Sequence, residues 1–217
     1  MSDLTEPKAR RKRSDSAVTE ARLMRVAERL FAHRGLAGVS LSEIGPAAGQ
    51  ANKTVVSYHF GDKEDLARRI FEARFAQLEA WRGAGLERAK REGTENDLRT
   101  LVELFFRAPA EIEENGERIF ARFLLQFLVQ FESWGGVRHP LATIRDGPSA
   151  EIFTRIDALI GENAMAKLSA RASCLLLGSV LEWENRAALG RKQPDLETTI
   201  AQSLDMIADA FEGYRRR

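Results

Sequence analysis

Apolar residues recur at spacings of three and four along most of the 217-residue chain, and no stretch alternates as a half-buried strand does. From about Ser16 to Arg34, the residues Leu23, Val26, Ala27, Leu30 and Phe31 share one helical face, and Gly35 supplies a C-cap. Ser40-Leu41-Ser42-Glu43 has the form of a capping box and predicts a short helix over about Leu41–Ala48. Pro46 lies one turn in, where its ring conflicts with an earlier carbonyl, so a kink or a split is expected there. Asn52 can cap a third short helix, Lys53–Tyr58, which Gly61 stops. Asp62 then caps a long helix to about Arg91, with Leu66, Ile70, Phe71, Phe75 and Leu78 facing inward. Further helices are predicted over 95–107, 117–133, 149–160, 165–189 and 195–213, giving about nine. Trp134–Pro140 and Arg191–Pro194 read as loops. The expected fold is all-α: an N-terminal three-helix unit of helix-turn-helix size over 15–62, and a helical bundle over 63–217. Residues 1–14 read as a disordered basic arm.

Composition narrows the function classes. Apolar residues make up 44%, enough for a substantial core. The one cysteine, Cys174, excludes a disulfide within the chain and a Cys-based zinc site, and it points to a reducing, cytoplasmic setting. No 18-residue apolar run is evident, so no membrane span is expected, and the polar N-terminus lacks the apolar core of a secretory signal. The three histidines, His33, His59 and His139, are preceded three residues earlier by Leu30, Val56 and Gly136. The Glu-x-x-His pairs of a di-iron bundle are therefore missing, as are His-Glu-x-x-His, Gly-x-Ser-x-Gly and phosphate-loop patterns. No catalytic role, metal or cofactor is expected. The net charge of +1 hides an asymmetry: residues 1–61 carry ten Lys/Arg against six Asp/Glu, a local +4, and the remainder is −3. A basic first third on an acidic body suits a chain of which one end meets phosphates.

The sharpest chemistry lies in Asn52–His59. On a helix, Val55 and Val56 turn toward the core with Phe60 beyond them, while Lys53, Thr54, Ser57 and Tyr58 share the solvent side. Such short and medium polar groups suit base edges and phosphate oxygens. The segment resembles the DNA-binding region of TetR-family regulators. The matching residues are Ala27, Leu30, Phe31 and Gly35, then Ser40-x-x-x-Ile44, Ala48-Gly49, and Tyr58-His59-Phe60-Gly61-Asp62-Lys63-Glu64-x-Leu66, within about residues 19–70. The turn is one residue longer than in most of that family and is similar to a subgroup with a Gly-Gln-x-Asn turn, here Gly49-Gln50-Ala51-Asn52. The resemblance implies base or phosphate contacts for Lys53 and Thr54, a groove position for Ser57, and phosphate contacts for Tyr58, His59, Lys63 and Ser40. Arg10 and Arg13 of the arm would reach a minor groove. Simpler roles stand beside these: His59 as a hydrogen-bonded turn residue, Tyr58 as a half-buried core aromatic, and the arm as a solvated tail.

For the larger body the resemblance implies a ligand cavity. Candidate lining residues are Phe105, Phe123, Gln126, Phe127, Gln130 and Trp183, with plain core packing as the alternative for the aromatics. Helices 165–189 and 195–213 are expected to pair with their copies in a homodimer. The small residues of the first and Leu196, Ile200, Leu204, Ile207 and Phe211 of the second fit that role. The implied protein is a repressor that binds a near-palindromic double-stranded operator and is released by a small molecule of unknown identity. The competing expectation is a helical adaptor that binds a protein partner and no longer binds DNA.

Overall fold

The computed structural model describes residues 8–52, 54–130 and 146–215, with side chains for 16–52, 54–129 and 146–215. Ten helices stand among the described residues. They are α1 (Lys8–Arg34), α2 (Leu41–Ala47), α3 (Val55–Phe60), α4 (Lys63–Glu92), α5 (Leu98–Phe106), α6 (Ala108–Glu111), α7 (Ile119–Gln130), α8 (Gly147–Ile160), α9 (Ala164–Ala188) and α10 (Leu196–Arg215). Their contacts divide the chain into two units, Met1–Ile70 and Phe71–Arg217, so the division falls within α4, eight residues beyond the boundary expected at Asp62. α1 begins at Lys8, which replaces the expectation of a disordered arm for residues 8–14. The predicted loop at Trp134–Pro140 lies outside the described residues.

The first unit is built on a buried set that the helical spacing anticipates. Leu23, Ala27 and Phe31 of α1, Ile44 of α2, Val56 of α3 and Leu66 of α4 are each fully buried. α2 is short because its end is specified twice. Pro46 cannot donate, and Gly49 at φ +73° adopts the left-handed conformation that closes a helix. The amide of Gln50 donates to the carbonyl of Gly45 at 2.9 Å, and that of Gly49 to Pro46 at 2.9 Å, the paired bonds of a Schellman motif. No kink follows, since the helix finishes one residue after the proline. α4 starts as expected, with Asp62 Oδ1 accepting from the amide of Asp65 at 2.7 Å.

The second unit is a helical bundle whose core draws on α4, α5, α8, α9 and α10. Two features had no strong sequence signal. Pro109 opens a separate short helix, α6, where a single helix over 95–107 and then loop was expected. Gly85 on α4 lets Leu104 of α5 approach so closely that a Cβ at that position would clash with its side chain. α9 meets the length and apolarity of a membrane-crossing helix, a run the sequence reading did not register. Yet Leu176 and Val180 are fully buried in the bundle core, as in the central helix of a folded domain. Cys174 on α9 is half-buried, and burial raises its thiol pKa.

The aromatic wall of α7 is the most demanding packing in this unit. Phe120, Phe123 and Phe127 are 1%, 0% and 1% exposed, and Phe123 sits 6.0 Å from Phe127, ring centre to ring centre. Truncating Phe123 to Ala leaves a void in a rigid neighbourhood and is expected to cost about 3–5 kcal/mol, read as a lower urea midpoint at unchanged slope.

Candidate nucleic-acid interface and a cavity in the helical bundle

α3 is six residues long and is defined by what it hides. Val56 is fully buried and Phe60 is 8% exposed. On the other side Thr54 and Ser57 are exposed, and Tyr58 is 85% exposed. The polar side expected from the sequence is therefore open to solvent, and Tyr58 is not a core aromatic. Lys53 lies outside the described residues, and the side chains of Arg10 and Arg13 are likewise not described.

Local hydrogen bonds fix where α3 begins. Asn52 Oδ1 accepts from the amide of Thr54 at 2.9 Å and from its hydroxyl at 2.8 Å. This side-chain turn satisfies an amide that the helix leaves free. It also occupies Asn52 and the Thr54 hydroxyl in the free protein. Val55 is half-buried, so the helix starts two residues later than predicted with its inward face unchanged.

His59 behaves differently from Tyr58. Its side chain is 10% exposed, and Nδ1 lies 3.1 Å from Glu20 Oε1 on α1. It ties α3 to a residue of α1 39 positions earlier, which matches the turn-residue alternative and leaves little of the ring open to a phosphate. Lys63 is also engaged: Nζ donates to the carbonyl of Leu36 at 2.8 Å and is half-buried. That leaves two of the three ammonium protons for another acceptor.

Ser40 stands at the head of α2 in a small charged network. Its amide donates to Glu43 Oε2 at 2.7 Å and its hydroxyl to the same oxygen at 3.0 Å. Arg34 bridges the same site, donating to the Gly38 carbonyl at 2.6 Å and to Glu43 Oε1 at 3.2 Å. The Ser40 amide bond, followed by the Arg34 contact, holds the Glu43 carboxyl below its ordinary pKa. Sequence reasoning saw the cap but not Arg34, which arrives from the end of α1. The Arg22 side chain was missed too. Its guanidinium lies against the α2–α3 turn, 2.8 Å from where a Cβ on Gly49 would stand.

In the second unit a cavity of about 20 Å³, room for about one water, is lined by residues that include Phe71, Phe75, Leu78, Arg82, Phe105 and Leu177. Of the predicted lining residues, Phe105 borders this cavity. Phe123 and Phe127 are core residues that do not line it, and neither does Gln126. The Gln130 side chain is not described. Trp183 belongs to a separate surface groove on α9 and α10, where its Nε1 donates to the Pro194 carbonyl at 2.9 Å. The α10 residues expected at a dimer face are also spoken for: Ile200, Ile207 and Phe211 are at most 2% exposed within the chain's own core. Met206, 58% exposed, is what α10 leaves outside.

Residues 23–70 match the model of the bacterial regulatory proteins of the tetR family. The HTH-type transcriptional regulator AcrR of Shigella flexneri is 38% identical over 64 residues, 30% of this chain and 29% of the relative. The alignment thus spans less than a third of that relative's own length. A solved chain from Mesorhizobium loti MAFF303099, described as a TetR-family transcriptional regulator, covers 91% of this chain and 96% of its own at 17% identity, with a TM-score of 0.47. The family match falls on the first third of the chain.

The Glu43 network has a defined pH dependence. Because the folded pKa is lowered, its stabilising effect is present above the ordinary value of 4.5 and is lost as pH falls through the folded pKa. Glu43→Gln is therefore expected to lower the melting temperature near neutral pH, with the difference from wild type shrinking below about pH 4. Parallel thermal melts at neutral and acid pH check this.

Proposed function

We propose, for a chain whose residues 23–70 carry the N-terminal domain of the tetR family of bacterial regulatory proteins, that it is a DNA-binding transcriptional regulator. The observation that carries the reading is α3, a short helix that buries Val56 and Phe60 and leaves Thr54, Ser57 and Tyr58 to solvent. Ser57 and the Thr54 hydroxyl meet base edges in the major groove. Tyr58, Lys53, Lys63 and Ser40 hold phosphates on either side. His59 is a positioning residue: by gripping Glu20 it fixes the rotation of α3, so that Tyr58 faces outward. Arg22, beside the turn, joins the phosphate set, and Arg10 and Arg13 on the first turns of α1 add non-specific attraction.

One six-residue helix reads too few bases to find a site among a genome of competitors. The working unit is therefore a homodimer through the outer faces of α9 and α10, with Met206 within the contact, on a near-palindromic operator. The default mode is repression that a small molecule relieves. α4 contributes to both units, so a ligand that biases its position in the bundle acts on the DNA-binding unit through one continuous helix. The available coupling is about 1–3 kcal/mol, as for most such switches.

A mobility-shift assay on the DNA upstream of the protein's own gene tests the central claim, and a purified dimer indifferent to all such fragments rejects it. Tyr58→Ala is expected to weaken binding on every sequence. Lys53→Ala should lower the slope of log affinity against log salt by about one, and an unchanged slope removes Lys53 from the phosphate contacts. Met206→Arg is expected to shift the sedimenting species from dimer toward monomer, with helicity by circular dichroism unchanged.

A further inference from the structure

Arg82 on α4 is out of keeping with its surroundings. It is 3% exposed, and it lines the cavity beside Phe71, Phe75, Phe106 and Leu177. Nη1 donates to the Ser149 hydroxyl at 2.8 Å, and Nη2 donates to the Phe105 carbonyl at 2.7 Å. The guanidinium carbon stands 4.4 Å from the centre of the Phe105 ring. Nε is buried with no hydrogen-bond partner. The nearest carboxylate, Glu79, comes no closer than 3.8 Å to Nη1 and accepts instead from the hydroxyl and amide of Ser149. Burial lowers the Arg82 pKa to about 10, with Glu79 opposing, so the group stays charged near neutral pH. A full positive charge thus lies in an aromatic wall with one nitrogen, Nε, lacking an acceptor and its counter-charge held off by a serine.

We infer that this cavity takes a small monocarboxylate with an apolar alkyl or aryl body, its carboxylate on the Arg82 guanidinium and its body among the phenylalanines. The planar fork of donors matches a carboxylate, which would supply the acceptor that Nε lacks and the charge that Glu79 only partly offsets. A neutral alcohol offers an acceptor without the charge. A cation meets like charge. A dianion must be stripped of water in a site where Arg82 is the only cation among the described lining residues and Glu79 stands close by. The cavity of about 20 Å³ holds no such body as it stands. Uptake therefore parts the wall between α4 and the helices that face it, and the ligand selects a more open packing of the bundle. That this ligand is the regulator's effector rests on the function proposed above; the binding itself does not.

Calorimetric titration of the full chain with octanoate, 4-phenylbutanoate, octan-1-ol and octylamine near neutral pH tests it. At least one of the acids is expected to bind at least roughly tenfold more tightly than the alcohol, and the amine not at all. Arg82→Gln should weaken acid binding by a similar factor and leave the alcohol unchanged. Ser173→Leu narrows the cavity without touching any partner of Arg82 and should abolish binding of the acids. Equal affinity for acid and alcohol, no uptake of either acid, or binding that survives Ser173→Leu overturns the inference. If Arg82→Gln fails to fold by circular dichroism, the wild-type series and Ser173→Leu decide it. DNA binding without acid binding rejects this inference alone, and acid binding by a protein inert to DNA rejects the regulator alone.

Discussion

The first unit depends on a helix that cannot stand by itself. Six residues of α3 form fewer than two turns, far short of what an isolated helix needs to persist in water. Its conformation is imposed from outside. Val56 and Phe60 anchor it on the core side, Asn52 closes its start, Gly61 ends it, and His59 clamps it to Glu20 on α1. The inward-facing and terminal groups, the Thr54 hydroxyl among them, hold the helix, and Ser57 and Tyr58 stand at the surface. A rigid presentation of a few polar groups lowers the entropy lost when they engage a partner.

The same division of labour organises the approach to α3. Arg34, at the end of α1, braces the head of α2 through Glu43 and Gly38, and Lys63, at the start of α4, reaches the Leu36 carbonyl. Charged side chains that look like a phosphate-binding set also serve as struts between helix ends. An ammonium or a guanidinium has more donors than one carbonyl can use, so such a strut keeps donors to spare.

What the sequence disclosed and what it concealed follow the range of the interactions. Caps, turns and helix faces are local, and Ser40 with Glu43, Gly49, Asp62 and the Val56–Phe60 pair were legible from spacing alone. The exposed side of α3 followed from the same periodicity. His59 was not settled, because its fate turns on a carboxylate 39 positions away. Arg82 was invisible, because an arginine within a long charged helix reads as solvated surface. Its partners Phe105 and Ser149, 23 and 67 positions further along, reveal that it is inside. The regular apolar spacing of α10 was seen correctly but given the wrong neighbour: Ile200, Ile207 and Phe211 face their own bundle rather than a second chain. Helical periodicity marks a buried face and cannot say what buries it.

Pro46 shows how a ring can strengthen a fold through the denatured chain. It stands exposed in the last turn of α2, one position before the helix stops, and the amide it lacks would have reached back to Ser42, itself exposed. The usual penalty of proline in a helix is therefore small here, since water can serve the orphaned carbonyl. Its ring still restricts the denatured chain at that point, so fewer conformations are forfeited on folding. The turn between the two short helices thus gains stability from a loss of options in the unfolded state, on top of its native bonds.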